Sequence, residues 1–281
     1  MDSIPLGHKH LTEDLTDHDD QPLLDDFESS NLQSSRFRTP KWLWGLHILL
    51  FILSFTILII SWRQSYPTDS TCAKQLSAYS PFTGLVEYET RRFHGALSDT
   101  NPYKGPPNPR LDAEWKRITH MGQLKISAKD MTGLRKPLSQ VKVVESEGDG
   151  YAVGIEVFHQ LHCLNLIRQY VYFDYYSKEE NKPAEFSDSN QTVRLHIDHC
   201  IDILRQVIQC NGDVGVVTRS WVKGRTINYP DFNVWHKCRK LEPILQYAME
   251  HEIEAEPVKN SDSVELSEPP CTNAAPGEVC P

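Results

Sequence analysis

The chain has 281 residues and a mass of 32.3 kDa, which allows one or two domains of ordinary size. Hydrophobic residues make up 39% and charged residues 24%, a composition typical of a folded domain. The formal net charge of −9 argues against a protein that wraps a phosphate backbone, so no nucleic acid partner is expected. No glycine-rich phosphate loop and no repeat array occur, which argues against a P-loop or Rossmann nucleotide enzyme and against a solenoid.

The N-terminal tail, residues 1–41, is acidic. Residues 1–62 carry nine acidic and four basic side chains, whereas residues 63–281 carry 29 acidic and 25 basic ones. The tail is rich in Asp, Ser, Thr and His and has little apolar periodicity, so we predict that it is disordered and cytosolic. Its segment DDQPLL, residues 19–24, resembles a dileucine sorting signal, and a plain solvated tail explains it equally well.

A single transmembrane helix is predicted for residues 42–62. These 21 residues carry no formal charge, and a helix of this length spans a hydrocarbon core of about 30 Å. Trp42, Trp44 and Trp62 lie at its two ends, where indole side chains prefer the membrane interface. The segment begins too late and is too long for the apolar region of a cleaved signal peptide.

The flanking charges predict how this helix is oriented. Three basic residues lie within positions 36–41, whereas Arg63 alone closely follows the helix. The positive-inside rule therefore predicts a single-pass type II protein of the secretory pathway, in the endoplasmic reticulum or Golgi, with residues 63–281 in the lumen. All seven cysteines and the one N-glycosylation sequon, at Asn190, lie on that side, as an oxidising compartment predicts.

The lumenal part is predicted to be an α-rich α+β domain. Residues 63–110 form a stalk and lead-in region, because prolines such as those in NPYKGPPNP do not sustain a helix. Residues 111–254 form the helical domain, and residues 255–281 form a loose C-terminal tail. A glycine-rich turn at 147–150 between β-branched runs predicts a hairpin or return loop. Helices are predicted over residues 111–121, 155–180, 192–210 and 242–254.

One pattern, His-x-x-His-Cys, occurs twice: HQLHC begins at His159 on the first long helix, and HIDHC begins at His196 near the start of the second. Residues three and four positions apart share a helix face, so each copy presents two imidazoles and one thiol together. Imidazole binds copper, zinc, iron and nickel, and facing helices can supply ligands to one ion. We therefore predict four metal ligands, His159, His162, His196 and His199, and expect them to be buried on two buried helices.

The motif cysteines, Cys163 and Cys200, have two interpretations. In an oxidising lumen they either form a disulfide that joins the two helices or bind metal as thiolates, and the compartment favours the disulfide. Among the remaining cysteines, one arrangement pairs Cys210 with Cys238 and Cys271 with Cys280. That arrangement leaves Cys72, near the predicted membrane helix, either free or linking two chains.

Three other features are weaker candidates. His236 in HKC is a further candidate metal ligand. Asp198, inside the second motif, either orients an imidazole or is a solvated acid. The aromatic run within residues 170–176 either lines a peptide groove or packs in the core, and an aromatic helical stripe is more often core.

These features resemble the UstYa-like family of fungal membrane-anchored proteins, which is marked by two His-x-x-His-Cys motifs after one N-terminal transmembrane helix. The resemblance covers roughly residues 75–250. It includes FHQLHCLNLIRQYVYFDYY (158–176), HIDHCIDILRQVIQCNGDV (196–214) and PDFNVWHKCRKLEP (230–243).

The resemblance implies an oxidase of fungal secondary metabolism, copper-dependent and using dioxygen, that acts in mycotoxin biosynthesis. The implied reaction is oxidative cyclisation of a ribosomally made peptide precursor, joining a Tyr phenol oxygen to a side-chain β-carbon. Relatives linked to hydroxylation and chlorination leave tailoring of a formed ring as the alternative. His159, His162, His196 and His199 match the family's metal or catalytic histidines, and Cys163 and Cys200 match its motif cysteines.

A function of a different class also fits the sequence. In this alternative the histidines hold structural zinc or only pack, and the protein is a non-catalytic accessory that binds substrate or a partner oxidase. A closed four-ligand site favours a structural role, and an open coordination position favours catalysis. Assembly with a second copy or with a related family member is compatible with both.

Overall fold

The computed structural model describes residues 40–64, 66–120, 122–259 and 263–267. The chain divides into two compact units, Met1–Trp62 and Arg63–Pro281. Most of the predicted cytosolic tail and part of the predicted C-terminal tail, with Cys271 and Cys280, lie outside the described residues.

Helix α1, Lys41–Gln64, forms the described end of the first unit, and its last two residues fall in the second. Its segment Lys41–Arg63 has a mean hydropathy of 2.5. Its apolar side chains are exposed within the structure. Residues 42–62 include no charged side chain. In the part of the chain that the structure describes, α1 is the one helix long and apolar enough to cross a membrane.

The second unit is α-rich α+β, as the sequence predicts, and its described residues form three small antiparallel sheets. Its helices, within the described residues, are α2 Asp69–Gln75, α3 Pro109–Ile118, α4 Ala128–Gly133, α5 Glu156–Val171, α6 Phe173–Tyr176, α7 Asn190–Asn211 and α8 Leu241–Glu250. Its strands are β1 Tyr88–Arg92, β2 Leu124–Ile126, β3 Tyr151–Val153, β4 Thr218–Ser220, β5 Tyr229–Asp231 and β6 Trp235–Arg239. They pair as β1–β6, β2–β3 and β4–β5.

Local capping residues define both ends of helix α7. The backbone N–H of Thr192 donates to the Ser189 hydroxyl, which caps the N-terminus at 3.1 Å. Gly212 ends the helix with φ of 48°, in the left-handed region that favours glycine. The prediction over 192–210 is therefore confirmed, except that the helix begins two residues earlier and takes Asn190 into its first turn.

The predicted helix over 155–180 is shorter in the structure. Helix α5 ends at Val171, and Tyr172 (φ −108°, ψ 41°) leaves helical geometry before the short helix α6. The break turns Tyr176 inward, where it is 1% exposed. Burial of a large aromatic ring is worth more than a few further helical residues, so packing overrides the local helical pattern.

The glycine-rich turn at 147–150 is a return loop rather than a regular hairpin. The backbone N–H of Val143 donates to the carbonyl of Gly150, and a single bridge joins Lys142 to Tyr151. Beyond this bridge, strand β3 pairs with β2.

Helices α5 and α7 pack against each other over the main core cluster, which positions both motifs. Buried members of this cluster are Cys163, Leu166, Tyr176, Phe186, Val193, Ile197 and Cys200. The apolar stripe of α7 is exposed toward the C-terminal end of the helix, with Ile201 49% and Ile208 71% exposed, because only the N-terminal half packs in this cluster. The expectation that this helix is fully buried is therefore wrong.

Candidate metal centre

The structure brings the four motif histidines to one surface of the α5–α7 pair. The ring centroids of His159 and His199 are 5.7 Å apart, and those of His162 and His196 are 6.1 Å apart. The two pairs adjoin, since the His196 and His199 centroids are 6.3 Å apart. Two packed helices with a repeated i, i+3 spacing therefore gather four imidazoles, as the sequence predicts.

The expectation that these histidines are buried is wrong. His159, His162 and His196 are half-buried and His199 is exposed, and the described residues include no buried polar or charged side chain. The buried layer of the helix pair lies beneath them. The imidazoles extend beyond that layer, where water or a ligand can satisfy their nitrogens.

Three ligand atoms converge most closely. One atom each of His159, Cys163 and His199 lies within 4.8 Å of the other two. Nε2 of His159 is 3.8 Å from Sγ of Cys163. Two imidazoles and a thiol form a donor set that suits copper or zinc, so the residues present fit a metal ion. The predicted four-nitrogen site is thus arranged as a His–Cys–His group beside a second histidine pair.

Two glutamates complete the centre, and the sequence analysis missed both. Oε1 of Glu156 is 3.3 Å from Nδ1 of His159, and Oε1 of Glu185 is 3.5 Å from Nε2 of His162. Glu156 precedes the first motif by three residues, a spacing that could have revealed it. Glu185 comes from a single 3-10 turn, and no local pattern links it to the motifs.

Burial sets the protonation of His162. Desolvation lowers the pKa of His162, and the neighbouring His196 and His159 lower it further, while Glu185 opposes them. His162 is therefore held neutral at pH 7, with a carboxylate next to its Nε2 atom.

The motif cysteines form the buried floor of the centre. Cys163 and Cys200 are both 0% exposed and belong to the same core cluster. Burial raises the pKa of both thiols. Both are free cysteines in the structure, which does not confirm the predicted disulfide between them.

The remaining cysteines form no disulfide among the described residues. Cys72, Cys210 and Cys238 are free, so the predicted pair of Cys210 and Cys238 is not confirmed either. Cys210 is exposed near the end of α7, whereas Cys238 is half-buried on β6. The proposed pair of Cys271 and Cys280 lies outside the described residues.

His236 and Asp198 do not join the converging group. His236 lies on β6, and its Nδ1 is 2.8 Å from Oδ2 of Asp213, just past the end of α7. Helix α7 rises about 20 Å between His199 and Gly212, which places His236 well away from the motifs. Asp198 pairs with Arg194 at 2.8 Å, so it orients no imidazole.

The aromatic run after the first motif is mainly core. The hydroxyl of Tyr176 donates to Oδ1 of Asp112 at 2.6 Å, and Arg168 donates to that hydroxyl at 2.7 Å. Phe173, 41% exposed, packs its ring 5.7 Å from that of Phe186. The alternative of a peptide groove here receives no support. Asn190 of the sequon is exposed at the start of α7.

A protein-family model described as "Mycotoxin biosynthesis protein UstYa" matches residues 33–251. The UstYa family oxidase phomYc of Diaporthe leptostromiformis is 34% identical over 228 residues, 78% of this chain and 88% of the relative. The UstYa family oxidase aprY of Aspergillus flavus is 30% identical over 271 residues, 88% of this chain and 80% of the relative. The transacylase cctO of Talaromyces islandicus is 27% identical, covering 75% of this chain and 73% of the relative. No solved structure matches significantly.

Proposed function

This chain belongs to the UstYa family of mycotoxin biosynthesis proteins, and from that premise we propose that it is a metal-dependent oxidase of fungal secondary metabolism. Relatives named as oxidases support the oxidase role. The observation that carries the metal dependence is the convergence of His159, Cys163 and His199 within 4.8 Å.

Copper is the proposed metal and zinc is the alternative. Imidazole and thiolate together are a donor set that copper and zinc both accept. The exposed His199 leaves one side of the group open to solvent and to a substrate, as a catalytic site requires. When bound, copper would supply the dioxygen activation and one-electron chemistry of an oxidase.

The surrounding side chains prepare the ligands and handle protons. Glu156 accepts the Nδ1–H of His159, which leaves the lone pair of Nε2 free on the side of Cys163. His162, neutral at pH 7, accepts a proton from the substrate, and Glu185 stabilises the imidazolium that results.

The proposed substrate is a ribosomally made peptide precursor, and the proposed reaction is its oxidative cyclisation. The histidine surface is half-exposed, so a peptide can reach it without a deep pocket. Hydroxylation or halogenation of an already cyclic peptide would need the same open surface and remains the alternative reaction.

Acyl transfer, suggested by the relative named as a transacylase, fits the centre less well. A cysteine nucleophile needs its thiolate form and access to substrate. Cys163 and Cys200 are fully buried, and burial raises the pKa of both thiols. The two motif thiols are thus poor nucleophiles.

Helix α1 is proposed to anchor the protein in the membrane of the endoplasmic reticulum or Golgi, with residues 63–281 in the lumen and Asn190 glycosylated. The length and hydropathy of α1 and the exposure of Asn190 support this arrangement. The exposed C-terminal half of α7, with Ile201 and Ile208, offers an apolar surface for a second copy or a related family member.

Oxygen uptake tests the proposed activity. The detergent-solubilised full chain, loaded with copper, is supplied with Tyr-containing peptides while dioxygen consumption and peptide mass are followed. We expect His199→Ala, which removes a ligand itself, to lower the rate by about 100-fold, the upper end of the loss seen when a ligand's supporting partner is removed. Asp198→Asn is the matched control, because Asp198 neighbours His199 but, among the described residues, pairs with Arg194, and it should stay within about twofold. Equal rates in the wild type and His199→Ala would contradict the proposal.

A further inference from the structure

An open cavity of about 940 Å³ lies in the second unit, away from the His-x-x-His-Cys motifs. The segment after β1 and strand β6 with its approach form the walls. Phe93, Tyr103 and Phe232 give them aromatic surface, Val217 and Val234 give aliphatic surface, and His236 contributes an imidazole. The proposed oxidase centre uses none of these residues.

His236 is held in a defined orientation beside this cavity. Its Nδ1 donates to Oδ2 of Asp213 at 2.8 Å, and the other carboxylate oxygen accepts the N–H of Gly215 at 2.7 Å. These two hydrogen bonds lower the pKa of Asp213, so the carboxylate is charged and fixes the proton on Nδ1. Nε2 is then an acceptor, and it is buried with no hydrogen-bond partner among the described residues.

On the opposite wall of the cavity, the segment at Gly95 packs tightly against Phe232 and Asn233. The N–H of Gly95 donates to Oδ1 of Asn233 at 3.0 Å, and Asn233 is held by Oδ1 of Asp231 at 2.8 Å. A side chain at Gly95 would overlap Phe232. A glycine is therefore required where the segment crosses Phe232, which keeps the aromatic wall in place.

The two arginines at the rim already have partners. Arg91 pairs with Glu89, and Nε of Arg92 donates to the carbonyl of Asn233 at 3.0 Å. Among the described lining atoms, Nε2 of His236 is the one that is buried without a partner, so the cavity lacks a neutral hydrogen-bond donor at this point, next to aromatic surface. An unpaired buried acceptor is costly, and a ligand that pairs it gains selectivity.

We propose that this cavity is a second binding site, for an aromatic ring that carries one hydroxyl group, with the hydroxyl donating to Nε2 of His236. A phenol has this chemistry: its ring stacks on aromatic walls and its O–H is a neutral donor. Nε2 is shielded from solvent, and the ring of Phe93, which stacks on the imidazole with centroids 3.8 Å apart and is 45% exposed, moves aside to admit the ligand.

Assigning this phenol to a side chain of the peptide substrate rests on the proposed function, whereas binding itself does not. The cavity and the motifs are about 20 Å apart along α7. An extended peptide covers that distance with about six residues. A substrate held at both sites therefore has at least about this length.

Binding of two matched probes to the full chain in detergent, with no metal added and no turnover, tests the site. N-acetyltyrosinamide and N-acetylphenylalaninamide differ by one hydroxyl. We expect the wild type to bind the tyrosine probe about tenfold more tightly, the effect of one well-placed hydrogen bond. His236→Phe should abolish this preference and leave the affinity for the phenylalanine probe within about twofold.

A second pair of variants covers the case in which His236→Phe does not fold. Val217→Trp fills the cavity and should weaken both probes at least about tenfold, whereas Val216→Trp, the adjacent exposed position outside the lining, should change neither. Equal affinity for the two probes, a preference that survives His236→Phe, or equal binding in the two tryptophan variants would overturn the proposal. Because no metal or turnover enters the assay, these outcomes are independent of the oxygen-uptake test.

Discussion

Two regions of the second unit place an imidazole next to a carboxylate, and they fix it by different means. On the α5–α7 pair, the histidines rest on a fully buried floor that includes Cys163 and Cys200. On β6, His236 donates a hydrogen bond to the charged carboxylate of Asp213 and stacks on Phe93, with little buried core. Core packing therefore positions the first group, and directed polar contacts position the second.

A change beneath the motif histidines should affect only the helical region. Leu166 is 1% exposed in the α5–α7 core, so Leu166→Ala should lower the free energy of unfolding by about 3 kcal/mol. Val217, 46% exposed beside the cavity, is its counterpart, and Val217→Ala should stay within about 0.5 kcal/mol. Urea denaturation measures both, and equal costs would remove the distinction between the two regions.

The ion pair between Asp112 of α3 and Arg168 of α5 should be the next most sensitive feature. Oδ1 of Asp112 is 2.7 Å from a terminal nitrogen of Arg168, whose side chain is only 12% exposed. Asp112→Ala removes the carboxylate that pairs with this guanidinium and should cost about 2 kcal/mol. The exposed pair of Arg194 and Asp198 is the control, since Asp198→Ala should cost at most about 0.5 kcal/mol. Urea denaturation measures both variants. An equal loss of stability in Asp198→Ala and Asp112→Ala would contradict the larger contribution assigned to the pair of Asp112 and Arg168.

Alkaline pH should weaken the hydrogen bonds that join Tyr176 to Asp112 and Arg168. Burial, with the hydrogen bond to Asp112, raises the pKa of Tyr176 to about 12. An ordinary tyrosine titrates near 10, so the native state favours the protonated phenol, and this contribution is complete below about pH 10 and lost as pH rises toward 12. Stability should therefore fall less steeply over this range in Tyr176→Phe than in the wild type. Parallel curves, followed by urea denaturation at several pH values, would argue against it.

The smallest predicted effect is a change in the pKa of His162, which pairs with His196. Glu185 raises the pKa of His162 against the larger effect of burial, so Glu185→Gln should lower that pKa further. An NMR titration of the His162 ring measures the change. Glu156→Gln, at the neighbouring His159, is the control and should leave His162 nearly unchanged. A rise in the pKa of His162 in Glu185→Gln would contradict the assigned contact.

Much of the helical region could be predicted from the sequence. The uncharged run within α1, the cap at Ser189 and the stop at Gly212 are local signals, and they locate two helices closely. The repeat at His159 and His196 predicted that the four imidazoles come together, because i, i+3 spacing on paired helices places them on one surface.

The rest depended on contacts between distant residues. Asp213 and His236 are 23 positions apart, and Glu185 meets His162 from a 3-10 turn, so no periodic pattern reveals either pair. The end of α5 at Val171 follows from burial of Tyr176, a tertiary effect that overrides helix propensity. The exposure of the motif histidines was missed because an apolar stripe predicts which face packs but not how far a side chain extends beyond it.

Metal content of the purified full chain tests the metal centre most directly. We expect about one copper ion per chain in the wild type and in Asp198→Asn, and loss of copper in His159→Ala and in His199→Ala, with unchanged thermal stability of the metal-free forms. Copper that remains in both alanine variants, or zinc in place of copper in the wild type, would contradict a copper centre built on His159, Cys163 and His199.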